Sequence, residues 1–101
     1  MMKTEIKENG DQLIVAFCGQ LDTLASQETD KALKPVYESE KKDVVLDCTE
    51  LEYIASSGLR LFLSLLKKVK ARGGEVTIKN VNDDIRNVFK VTGFINLFKF
   101  E

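Results

Sequence analysis

The stretch from Asp43 to Arg72 narrows the folding choices most. The apolar run DVVLDC (43–48) gives way, after a polar interval, to Ser56-Ser57-Gly58 and then to Leu59, Phe62, Leu63, Leu66 and Val69 at helical spacing. A short, nearly continuous apolar run reads as a buried strand, and a stripe of period 3.6 reads as a helix laid on a sheet. The pattern predicts a strand covered on both faces at the sheet centre, then a helix to about Arg72 stopped by Gly73-Gly74.

The flanks extend the alternation. QLIVAFC (12–18) follows the turn signal Asn9-Gly10-Asp11, and KTEIKE (3–8) alternates enough to be its hairpin partner. Asp22 or Thr23 is placed to cap a helix carrying Ala25, Thr29, Ala32, Leu33 and Val36, and Pro35 predicts a kink or early end there. EVTIKNV reads as a further strand, Asn82 caps a short helix with Ile85, Val88 and Phe89, Gly93 ends it, and FINLFKF closes as a last strand. The order ββαβαβαβ implies an α/β fold with a mixed sheet and crossover helices, all in one domain spanning residues 1–101.

Composition removes whole classes of chemistry. The chain has no histidine, which excludes a Ser-His-Asp triad, a Cys-His pair and any His-ligated zinc. Fifteen basic residues against sixteen acidic leave a net charge of −1, too little to gather a phosphate backbone or an anionic lipid surface. Cys18 and Cys48 stand inside apolar runs, outside any redox or zinc spacing, and read as two buried reduced thiols. MMKTEIKENGDQ lacks the apolar core of a signal peptide, and no stretch reaches the roughly 18 apolar residues of a membrane span. The expectation is a cytoplasmic protein with no metal, no cofactor, and neither nucleic acid nor membrane as a partner.

Two hydroxyls at a helix start are most simply a cap, worth about 1 kcal/mol over alanine. A cradle for a phosphate or nucleotide is an alternative, although the P-loop lysine is missing and one glycine is too few for a dinucleotide fingerprint. Glu50 and Glu52 fall on a predicted loop, with no cleft implied for paired-carboxylate catalysis. Lys67, Lys68, Lys70 and Arg72 read as solvated charge complementing a helix C-terminus. Leu61 and Leu65 read as a widening of the buried face.

Taken in order, Gly19-Gln20-Leu21-Asp22, VVLDCTELEYIASSGLR (44–60), Gly73-Gly74-Glu75-Val76 and Ile85-Arg86-Asn87-Val88-Phe89-Lys90-Val91-Thr92-Gly93-Phe94 resemble the STAS domain, in its bacterial anti-sigma factor antagonist branch. The resemblance covers nearly the whole chain. It implies a binding switch and not an enzyme: the unmodified protein docks an anti-sigma factor serine kinase, a sigma factor is released, and transcription changes. It implies further that Ser56 is the phosphorylation site and that a PP2C-type phosphatase resets it. Asp22, Thr23, Leu24, Ser56, Ser57, Gly58, Leu59 and Arg60 would form the docking surface, in a monomer or weak dimer. Its area would be that of a reversible pair, about 1,200 to 2,000 Å².

Two positions depart from that pattern. Ala55 stands where the antagonists usually carry aspartate, and Arg60 where a small residue is common. Many relatives also continue into a last helix past the position of Glu101. Ala55 supports an alternative, a STAS scaffold or assembly subunit that is not phosphorylated; a small anion- or nucleotide-binding module is the other.

Overall fold

The computed structural model describes residues 2–101. Strands β1 (Lys3–Asn9) and β2 (Gln12–Leu21) form the opening hairpin, followed by helices α1 (Thr23–Ala32) and α2 (Lys34–Tyr37). Then come β3 (Asp43–Ile54), α3 (Ser56–Ala71), β4 (Val76–Lys79), α4 (Asp83–Val91), a 3-10 turn at Phe94–Asn96 and the short β5 (Lys99–Phe100). The sheet runs β1-β2-β3-β4-β5; β1 is antiparallel to β2, and every later neighbour is parallel. The α/β mixed sheet with β3 at its centre is as the alternation predicts.

The helices lie on one face of the sheet. Leu13, Val15, Phe17 and Leu21 of β2, Val44, Leu46 and Cys48 of β3, and Val76 and Ile78 of β4 share a single core with Ala25, Val36, Phe62, Val69, Ile85 and Phe89 of the helices. A smallest dimension of 19 Å fits these two layers. The other sheet face carries Lys3, Glu5, Ile14, Ala16, Asp47, Thr77 and Lys79, none of them buried. β3 is therefore covered by helices on one face only, contrary to the double coverage read from DVVLDC. Val45, buried outside the main core, is shielded on the helix-free face.

That single coverage also corrects the cysteines. Successive side chains of a strand point to opposite faces. Phe17 takes the core side of β2 and Cys18 is exposed on the other, whereas Cys48 is interior; both are free thiols. Burial, with the Asp47 charge beside it, pushes the Cys48 thiol up to about 12, so it stays neutral and inert.

α1 ends before Pro35, the early end that is one of the two outcomes expected there, and the proline takes a first-turn position of α2. Other departures have local causes. Ala32 is exposed and Ser26 takes the buried place beside Ala25 and Thr29. β3 runs to Ile54, which puts Glu50 and Glu52 on a strand and not on a loop. FIN of the last segment winds into the 3-10 turn, and only Lys99–Phe100 pairs with β4. Leu61 and Leu65 widen the buried face of α3 as expected.

Arg72 is not solvated charge. Its Nη1 donates to the carbonyls of Val36 at 2.9 Å and Ser39 at 3.1 Å, and burial lowers its basicity. It clasps the end of α3 to the end of α2. Lys68 lies 3.7 Å above the ring of Tyr37, a cation–π contact between the same two helices.

Candidate functional site

The site is built where β2 and β3 end and α1 and α3 begin. The two parallel strands carry their C-terminal ends to the same rim, with Leu21 beside Ile54 in register. Crossover connections of α/β units leave binding groups at this rim. The backbone amide of Ala55 donates to the carbonyl of Leu21 at 2.9 Å, so the chain entering α3 is tied to the chain entering α1.

The two helix starts are then locked together. The Ser57 hydroxyl lies 3.2 Å from that of Ser26, which donates to the carbonyl of Asp22 at 2.7 Å. Gly58 allows the close approach: a Cβ there would sit 2.8 Å from Cγ1 of Ile54 and 3.0 Å from the Leu21 side chain, tighter than real contacts permit. Leu59 follows it into the core at 5% exposure.

The capping follows expectation at α1 and departs from it at α3. Asp22 caps α1, its Oδ1 accepting from the amide of Ala25 at 2.8 Å, while Thr23 is the first helical residue. In α3 the N-cap is Ala55, which has no side-chain acceptor, and neither serine caps the helix: they occupy its first two positions. Ser57 spends its hydroxyl on Ser26 instead of on the amides of its own helix.

The predicted contact residues thus divide. Asp22, Thr23, Leu24, Ser56 and Arg60 are exposed around the rim, Leu24 at 67%. Ser57 is half-buried between the helices, and Gly58 and Leu59 are interior, where they position the serine turn. Met2, Gln20 and Glu28 join Asp22 and Leu24 around a small surface cavity of about 230 Å³. Sequence reasoning missed these three, because Met2, just before β1, and Gln20 of β2 reach Glu28 on α1 only through tertiary packing.

Electrostatically the α3 start is unguarded. No acidic residue stands in its first turn and no side chain caps it, so the positive pole of a sixteen-residue helix is left uncompensated beside the exposed Ser56. Such a terminus stabilises negative charge arriving at the Ser56 oxygen. Among the described residues no three or more Cys, Asp or Glu side chains are grouped to hold a metal ion. Nor is any helix long and apolar enough to cross a membrane.

Known proteins share this fold. The family model for the STAS domain matches residues 3–101. A candidate anti-sigma factor antagonist of Bordetella bronchiseptica, BtrV, is 28% identical over 97 residues, covering 96% of this chain and 84% of its own length. The anti-sigma-B factor antagonist of Staphylococcus aureus is 30% identical over 79 residues, 78% of this chain and 73% of its own. Among solved structures, an anti-sigma factor antagonist from Mycobacterium paratuberculosis superposes with a TM-score of 0.89 at 18% identity, over 99% of this chain and 85% of that one. The anti-sigma factor antagonist SpoIIAA in its unphosphorylated form gives a TM-score of 0.82 at 18% identity, over 98% and 88% of the two chains. SpoIIAA of Bacillus in its phosphorylated form gives 0.75 at 17% identity, over 98% and 91%. The matched relatives are named as regulatory antagonists and not as enzymes. With a family model spanning almost its entire length, the chain belongs to the STAS domain family.

Proposed function

We propose that this chain is an anti-sigma factor antagonist, a binding switch whose docking to an anti-sigma factor serine kinase is controlled by phosphorylation of Ser56 and reset by a PP2C-type phosphatase. The observation that carries this reading is the open start of α3. Ser56 is exposed in the first helical position, beside free amides, with no cap and no acid in the turn. Antagonist relatives, and a phosphorylated form of SpoIIAA with the same fold, support it.

In the modification step the Ser56 Oγ attacks the γ-phosphorus of ATP. The Oγ–P bond forms, the bond to the β-phosphate oxygen breaks, the hydroxyl proton passes to a base of the kinase, and ADP leaves. The phosphoserine adds about −1.5 to −2 charge at neutral pH. That exceeds the net −1 of the whole chain. The helix pole stabilises such a charge by about 0.3 to 1 kcal/mol, so the fold persists. Inside a protein contact the same charge, stripped of water and unpaired, costs several kcal/mol, and each 1.4 kcal/mol is tenfold in affinity. Phosphorylation therefore changes binding and spares stability.

The test is affinity capture and calorimetry with wild type, Ser56→Ala and Ser56→Asp. Wild type and Ser56→Ala should retain a kinase-type anti-sigma factor, and Ser56→Asp should bind at least about tenfold more weakly with an almost unchanged melting temperature. Equal affinity for all three would remove Ser56 from the mechanism. Ala55 favours one second reading, a scaffold that docks without being phosphorylated. It predicts no mass increase when the cognate kinase and ATP are supplied.

A further inference from the structure

We infer that β1 is a self-recognition edge: two copies of this chain pair antiparallel through Lys3–Asn9, joining their two five-stranded sheets into one. Among the described residues β1 hydrogen-bonds to β2 alone, and its other edge is unpaired. Such an edge offers a ready row of donors and acceptors. The opposite edge of the sheet, β5, is only two residues long.

The register follows from the hairpin and the charges. Asn9 and Gln12 flank the two-residue turn Gly10-Asp11, with Gly10 at φ 61°. In such a turn the flanking pair exchanges hydrogen bonds, and bonded pairs recur at every second residue. Lys3, Glu5, Lys7 and Asn9 therefore direct their backbone groups to β2, while Thr4, Ile6 and Glu8 present theirs outward. An antiparallel mate can bond to outward groups when Ile6 lies on the two-fold axis opposite its own copy. That register sets Thr4 against Glu8 and Glu5 against Lys7, and it pairs all seven residues of the strand.

The side chains agree with it. Glu5 and Lys7 project from the helix-free face of both copies, so the axis creates two opposite-charge pairs at directly facing positions. Shifting the mate by two residues either way puts Glu5 against Glu5 or Lys7 against Lys7. Ile6, half-buried on the helix side, meets its equivalent. Lysines on an edge strand normally repel an intruding strand; here a glutamate of the second copy answers each Lys7.

The test uses charge swaps at exposed positions. Sedimentation of wild type from about 10 μM to about 1 mM should show a reversible dimer, with amide exchange slowing at Thr4, Ile6 and Glu8 as it forms. Glu5→Lys alone and Lys7→Glu alone should each weaken association at least about tenfold, because like charges then face each other twice. An equimolar mixture of the two variants should restore the dimer, since every facing pair is opposite again. Circular dichroism checks that both variants fold. A monomer throughout the range, a dimer indifferent to both swaps, or a mixture that stays monomeric overturns the proposal. Ser56→Asp should leave self-association unchanged, which separates this edge from the proposed partner switch.

Discussion

Three helices of this domain are long enough to need their starts secured, and they are not secured alike. α1 is closed by Asp22 and α4 by Asn82, each with a side-chain oxygen 2.8 Å from the amide three residues on. α4 adds Asp83 and Asp84 in its first turn. α3, the longest of the three, has an alanine at its N-cap and no acid behind it. Two of the three starts are sealed by their own residues, whereas the start beside Ser56 has no side-chain cap. A local rule broken at one place and kept at two supports the proposed role of that place.

The contrast can be broken first at Gly58. Gly58→Val forces a branched side chain into the space held by Ile54 and Leu21 and should cost about 2 to 3 kcal/mol in chemical denaturation. A loss below about 0.5 kcal/mol would mean that the α3 start is not pinned to the strand ends. Next come the caps: Asn82→Ala and Asp22→Ala should each lose about 1 kcal/mol, whereas Ser56→Ala should stay within about 0.5 kcal/mol of wild type. Equal losses at all three would erase the distinction. The smallest effect sharpens it. Ala55→Asp should install the missing cap and raise stability by about 0.5 to 1 kcal/mol, less at high salt. No gain would show that the open terminus is already satisfied by other means.

Much of this was legible in the order of residues. Asn82 ahead of two aspartates and an apolar stripe announces a helix start, and Gly93, in the left-handed region at φ 80°, announces the end. Ser56 at a strand-to-helix turn was visible for the same reason. The second half of β3 was not, because two bulges interrupt its alternation. Thr49 and Glu50 both avoid the core before Leu51 returns to it, and Glu52 and Tyr53 repeat this before Ile54. A period-two search loses the strand at Cys48. The outward turn of Cys18 was hidden because an apolar run of alternating faces reads the same whether one face or both are covered. The link from Ser57 to Ser26 spans thirty-one residues of chain, and no local pattern encodes it.

The paired bulges of β3 help to set where the Ser56 hydroxyl stands. Each inserts one extra residue and absorbs it locally, so Ile54 arrives pointing inward and the chain leaves the sheet on the helical side. Excising one of the extra residues would take its bulge away with it, so Ile54 would still meet the core beside Leu21 and the serine turn would still leave on the helical side. The rim therefore tolerates a change of strand length that comes as a whole bulge.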